Sequence, residues 1–158
     1  MTLNSQHLRH FVAEHHIEAE IIHLDVDTPT VADAAAAVGV TPAQIIKSVL
    51  FLADGQPVLA IANGLARIDW KRLADHLGVS RRRLKTADAT QVEAITGYVV
   101  GSVPPFGHRQ RLHTVLEAGV LAQEEVYGGG GEIHALMRLA TAELRRVTSA
   151  EIASLVDG

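Results

Sequence analysis

Two stretches in the middle of the chain, Lys47 to Ala53 and Pro57 to Asn63, are almost wholly apolar and are separated by Asp54-Gly55. An Asp-Gly pair between two short apolar runs predicts an antiparallel hairpin. Because both strands lack a polar face, this hairpin belongs at the centre of the core. Before it, Leu8, Phe11, Val12 and His15 fall near one face of a helix that Asn4 or Ser5 can cap. A strand is expected over Ala19 to Leu24, then a turn at Asp27-Thr28-Pro29. Thr30 and Asp33 resemble a capping pair ahead of an Ala-rich helix that stops at Gly39. Thr41-Pro42 starts a brief helix by the same logic.

After the hairpin, Asp69 caps a helix carrying Trp70, Leu73, Ala74 and Leu77, which ends at Gly78. Arg81 to Lys85 is a basic stretch, and Asp88 caps a helix running to Ile95 and stopped by Gly97. Strands are then expected at Tyr98 to Val100, Leu112 to Leu116, Gln123 to Tyr127 and Glu132 to Leu139, with short helices from Thr141 onward. Helices cluster early and strands late, without βαβ alternation. That order predicts an α+β fold: a mixed, mainly antiparallel, curled and barrel-like sheet of six or seven strands surrounded by helices. Residues 1–158 are expected to form a single domain, a length that buries an adequate core.

Composition narrows the chemistry. With no cysteine, disulfides, zinc–thiolate sites and thiol nucleophiles are all excluded. No apolar run approaches the roughly 20 residues that span a bilayer, and the first residues lack a signal-peptide pattern, so a cytoplasmic location is expected. The net charge of −4 argues against sequence-independent nucleic-acid binding but allows a local basic patch. Among the basic residues only Lys47, Lys71 and Lys85 are lysines, against eleven arginines, which makes each lysine easy to single out.

Lys47 stands where a short helix meets the first central strand. An ammonium beside so much hydrocarbon must snorkel to water or meet an anionic partner. It is therefore either an ordinary strand-end lysine or a fixed positive charge at the mouth of a pocket. The segment Gly101-Ser-Val-Pro-Pro-Phe-Gly107 is the second unusual feature. Pro104 and Pro105 stiffen it, and the flanking glycines permit positive φ. Its remaining N–H groups, at Gly101, Ser102, Val103, Phe106 and Gly107, could meet an oxyanion or a phosphate. A plain rigid turn is the competing explanation.

Three further features carry less. Gly128 to Gly131 lacks both the P-loop ending and the dinucleotide fingerprint, and a flexible hairpin or bulge accounts for it. The nine histidines show no His-Glu-x-x-His pattern, so no metal is expected. His108 and His134 flank glycine-rich loops and are candidates for acid–base work, with ordinary surface histidines the simpler explanation. Arg81, Arg82 and Arg83 form either a solvated face or a weak docking place for phosphates.

Several of these pieces occur together in one order: Thr30-Val-Ala-Asp-Ala-Ala-Ala-Ala-Val-Gly39, Ile45-Ile-Lys-Ser-Val-Leu-Phe51, Val92-Glu-Ala-Ile-Thr-Gly-Tyr98, Gly101-Ser-Val-Pro-Pro-Phe-Gly107 and Val126-Tyr-Gly-Gly-Gly130. In this the chain resembles the YbaK/ProRS-insertion-domain family of aminoacyl-tRNA deacylases, from about Thr30 to Leu144. The resemblance implies trans-editing: hydrolysis of the ester of a mischarged tRNA carrying a small amino acid, for instance on tRNA-Pro, without a cofactor. It implies that Lys47 orients the aminoacyl group, that Gly101 and Pro105 are the ends of the family's Gly-x-x-x-Pro loop, and that Ser48 supplies a small hydroxyl beside the lysine. The rest of that loop, Ser102, Val103, Pro104, Phe106 and Gly107, with Gly129 and Gly130, is expected to surround the substrate. Aminoacyl-tRNA is the expected partner, with an aminoacyl-tRNA synthetase as a further one. A non-catalytic module that binds tRNA or a free amino acid in the same pocket is the alternative.

Overall fold

The computed structural model describes residues 1–26, 28 and 30–157. The expected turn at Asp27 and Pro29 therefore lies outside the described residues. The fold is α+β. Helix α1 (Ser5–Glu14) is followed by β1 (Ala19–His23), α2 (Val31–Val38), β2 (Ile46–Ala53) and β3 (Gln56–Asn63). Next come α3 (Trp70–Leu77), β4 (Leu84–Thr86), α4 (Ala89–Thr96) and β5 (His113–Glu117). The chain continues through β6 (Glu125–Gly129), β7 (Ala135–Ala140), α5 (Thr141–Thr148) and β8 (Glu151–Ala153).

Local chemistry sets most of these boundaries. Asp54 and Gly55 both adopt positive φ, 50° and 83°, which matches the tight turn that lets β2 and β3 twist together. Asp69 accepts hydrogen bonds from the N–H groups of Lys71 (2.9 Å) and Arg72 (3.3 Å) at the start of α3. Asp88 and Gln91 cap each other reciprocally ahead of α4, at 2.9 and 2.8 Å. Thr30 accepts from Asp33 N–H, and α2 closes on Gly39 in the left-handed conformation.

The strands make two sheets. One has the order β4-β2-β3-β5-β8, the other β1-β7-β6. Pairing is antiparallel except for β3–β5 and β5–β8, so the sheets are mixed and mainly antiparallel, as expected. Both faces of the larger sheet are buried. Leu59, Ile61 and Leu116 face Leu8, Val126, Met137, Leu139 and Leu144 in one cluster. Val58, Ala60, Ala62 and Val115 face Leu73 and Ala74 of α3 in another. The alternation along β3 thus fills two cores at once.

The expected barrel does not close. Among the described residues, backbone pairing joins the two sheets only at a single parallel bridge, Ile45 to Tyr127, beyond which no ladder links β2 and β6. Four other expectations also change. Tyr98 to Val100 is not a strand: Thr96 Oγ1 accepts from Tyr98 N–H at 3.0 Å, and Ser102 N–H bonds back to Val99 O at 3.1 Å, curling the segment. The basic stretch contains β4, whose edge pairing with Phe51–Ala53 leaves Lys85 and Thr86 exposed. The tail after α5 is a strand, β8, added parallel to β5. The sixth and seventh strands begin at Glu125 and Ala135, a few residues later than expected.

Candidate functional site

Lys47 is the second residue of β2 and pairs across the ladder with Ala62. It is half-buried, and its Nζ donates to the carbonyl of Ala66 at 2.6 Å. Burial holds its pKa below the ordinary lysine value, and the guanidinium of Arg67 pushes it the same way. Ser48 points to the opposite face of β2. Its hydroxyl is shielded from solvent and, among the described residues, has no hydrogen-bond partner. An orphan hydroxyl in a buried place calls for a ligand or water to satisfy it.

β4 pairs with β2 only at Phe51, Leu52 and Ala53, so the start of β2 has a free edge. Leu50 O accepts from Ala87 N–H on that edge. By the two-residue alternation of an antiparallel ladder, the N–H and C=O of Ser48 point the same way. A cavity of about 340 Å³ lies there. It reaches Lys47 and Ser48 on β2, and Gly101, Val103 and Gly129 across from them, with Val92 and Leu136 supplying apolar wall. Five of the residues singled out in the sequence therefore share one cavity.

The loop opposite β2 is held from several sides. Gly101 and Gly107 take φ of 92° and 80°, so both hinge positions are left-handed. Tyr98 is fully buried and its hydroxyl donates to Gly107 O at 2.9 Å. Ser102 is fully buried too. Its hydroxyl donates to Val99 O at 2.8 Å, its N–H to the same carbonyl, and its own carbonyl accepts from Gly131 N–H at 3.0 Å. Ser102 thus fastens the loop, with its hydroxyl proton and its N–H both donated within the protein. The N–H groups of Gly101, Val103, Phe106 and Gly107 have no protein acceptor among the described residues.

The loop also divides its residues between two places. Pro105, Phe106 and Gly107 do not line the cavity at Lys47. They wall a separate one of about 510 Å³ with Phe11, His108 and Arg111. Pro104 uses its carbonyl to accept from His108 Nε2 at 2.7 Å. Gly130 donates its N–H to Ala135 O and turns the chain between β6 and β7. Arg81, Arg82 and Arg83 form a single 3-10 turn away from the cavity. There Arg81 stacks 4.2 Å over the Trp70 ring, and Arg83 pairs with Asp54 at 2.7 Å. Val92 and Leu136, which line the cavity, and Arg67, whose charge acts on Lys47, were not candidate site residues in the sequence. A lone arginine in a loop, or one aliphatic residue among many, carries no sequence signal.

The glycine run is only in part the connection of a hairpin: Gly130 and Gly131 lie between the antiparallel strands β6 and β7. Gly128 and Gly129 belong to β6, and a Cβ on Gly129 would strike the backbone of Val103, with the carbonyl carbon at 2.7 Å and its oxygen nearer still. Only a glycine lets β6 and the loop approach this closely. No group of three or more histidine, aspartate or glutamate residues able to hold a metal exists among the described residues.

His108 is no acid–base candidate in this arrangement. Burial depresses its pKa to about 4, partly opposed by the hydrogen bond to Pro104, so it is neutral at pH 7 and donates through Nε2. A histidine kept neutral by the fold binds fewer protons folded than unfolded between pH 6.5 and about 4. Its contribution is therefore complete above pH 6.5 and is lost as pH falls through that window. Moving a pKa this far corresponds to about 3 kcal/mol. Urea unfolding at pH 7.5 and 4.5 should show a steeper acid loss for the natural protein than for His108→Asn. Equal losses in the two proteins would refute the assignment.

Comparison with known proteins decides the family. The family model for the aminoacyl-tRNA editing domain matches residues 25–147. The chain belongs to the aminoacyl-tRNA editing domain family. It is 37% identical over 112 residues to a proline–tRNA ligase of Nitratidesulfovibrio vulgaris, a match covering 69% of this chain but only 18% of that enzyme. It is 26% identical over 136 residues to the uncharacterised protein YwhH of Bacillus subtilis, covering 85% of each. A crystal structure named as that of a "putative trans-editing enzyme for prolyl tRNA synthetase" superposes with a TM-score of 0.89 at 30% identity, covering 98% of this editing domain and 97% of that chain. No helix among the described residues is long and apolar enough to cross a membrane.

Proposed function

We propose that this editing domain hydrolyses the ester of a mischarged aminoacyl-tRNA, with a small amino acid in the cavity beside Lys47. The observation that carries the reading is the meeting of three chemistries in one place. Lys47, Ser48 with its orphan hydroxyl, and Gly101 and Val103 with their unpaired amides border one mostly apolar hollow. An aminoacyl ester is already activated, so water suffices as nucleophile once the carbonyl is held. The water oxygen adds to the carbonyl carbon, and charge gathers on the carbonyl oxygen facing the loop amides. The bond to the ribose oxygen then breaks, and that oxygen takes up the proton released by the water. In this reading Lys47 supplies charge rather than a base, its Nζ being anchored on Ala66 O.

In this reading Gly129 keeps the loop at the right distance from β6, and Ser102, Pro104 and Pro105 hold its shape. Size selection follows from the aliphatic wall, where each methylene is worth about 1–3 kcal/mol. The relation to proline–tRNA ligases supports tRNA-Pro as the acceptor, with Arg81 and Arg82 as phosphate contacts and a synthetase as a working partner. The deciding experiment is a deacylation screen of tRNA-Pro charged with Ala, Cys or Ser. Release of one of them above the spontaneous rate is the expected result. Tight binding of all three without turnover would establish a non-catalytic binding module instead.

A further inference from the structure

The space at Lys47 continues on the other face of β2. A second hollow of about 380 Å³ is lined by Lys47, Val49, Leu65, Arg67, Trp70 and Thr86, among others. Lys47, Val49 and Thr86 border both hollows, so the lysine stands at their junction. The two differ in character. The inner one is walled mainly by aliphatic side chains. The outer one is more open and carries an exposed guanidinium, an indole and Leu65, which is 66% exposed.

We infer that this outer hollow seats the 3′-terminal nucleotide of the tRNA acceptor end, with Arg67 on its phosphate and Leu65 and Trp70 against its sugar and base. The inference rests on the editing reading above and assigns the second half of the substrate. An aminoacyl ester has a small side chain on one side of the carbonyl and an anionic nucleotide on the other. Two hollows that share one lysine match those two ends in character, the inner one aliphatic and the outer one cationic and open. About 380 Å³ lies within the roughly 300–1,000 Å³ of small-ligand sites.

Charge supports the assignment independently. Among the described residues Arg67 makes no hydrogen bond or ion pair, nor do Arg82 and Lys85. The nearby carboxylates are engaged elsewhere: Asp54 with Arg83, Asp157 with Arg72, and Asp69 with the first N–H groups of α3. Arg81, stacked on Trp70, extends the basic surface past the rim. A protein of net charge −4 attracts RNA only through such a local concentration of cations. Arg67 and Lys47 repel one another, and a phosphate between solvent and Arg67 relieves that repulsion.

The single tryptophan makes the idea directly measurable, since excitation at the red edge reports Trp70 alone. Uncharged tRNA-Pro should change Trp70 fluorescence on binding, and the same tRNA lacking its 3′-terminal adenosine should bind more weakly and leave the signal nearly unchanged. Arg67→Ala should weaken binding of the intact tRNA about tenfold, the size of one lost charge-assisted contact. Arg67→Glu should weaken it further. Arg67 is exposed, so both variants should fold, which circular dichroism verifies. Equal Trp70 responses to intact and truncated tRNA, or unchanged affinity in both variants, would overturn the assignment. These readouts need no turnover, so they separate from the editing reading. Binding as described without hydrolysis sinks the deacylase alone, while hydrolysis with a silent Trp70 sinks the nucleotide seat alone.

Discussion

Lys47→Met should lower kcat for release of the amino acid from mischarged tRNA by about 10²–10³-fold, the usual cost of losing one group that stabilises a developing oxyanion. Methionine keeps an apolar stem on the face of β2 that carries Val49 and Phe51 and removes only the charge and its bond to Ala66 O. The half-buried ammonium is disfavoured by burial and by Arg67, so its removal relieves a cost as well as deleting a hydrogen bond. The unfolding midpoint should therefore move little. Lys47→Arg should recover only part of the activity, because a planar, longer guanidinium cannot repeat the contact of a compact ammonium. Rates on a single mischarged tRNA-Pro, alongside urea unfolding, check both variants. Full activity in a folded Lys47→Met protein would remove the lysine from the mechanism.

The second large effect is expected from one methyl group. Gly129→Ala should cost about 2–4 kcal/mol of stability, or displace the loop and abolish activity, because both colliding partners are backbone. The new Cβ meets the Val103 carbonyl, on a loop pinned by Ser102, Tyr98 and Gly131, so neither strand nor loop yields freely. Gly128→Ala is the matched control. Its nearest contacts, in Ile46 and Pro105, all stand at 3.4 Å and are side-chain atoms, so a loss under about 1 kcal/mol is expected. Chemical denaturation of the pair gives the comparison. Equal losses would show that the close approach of β6 and the loop is not what Gly129 provides.

Much of the fold was legible because its signals are local. Asp54-Gly55, the Asp69 and Asp88 caps and the left-handed Gly39, Gly78 and Gly97 each act within a few residues, and each stands where the pattern placed it. The misreadings share a cause. Tyr98-Val-Val has strand composition, but its backbone groups are claimed by Thr96 and Ser102, while the Tyr98 hydroxyl reaches across to Gly107. β4 and β8 are three residues each and exist only because a neighbouring strand offers them an edge. Such pairing is a property of the neighbour, not of the short segment.

The same division holds for the site. The order of the lysine strand, the Gly-x-x-x-Pro loop and the glycine run determined the family from the sequence alone. The stiffness of the loop could also be read there, since proline and glycine act on their own φ angles. What only the tertiary structure decided is how those residues divide. It sent Lys47, Ser48, Gly101, Val103 and Gly129 to one cavity and Pro105 to Gly107 to another. It turned Ser102 inward as a fastener and placed Arg67 beside Lys47. Those outcomes depend on where two sheets part after a single bridge, and so on packing between segments far apart in the chain, which no local pattern encodes.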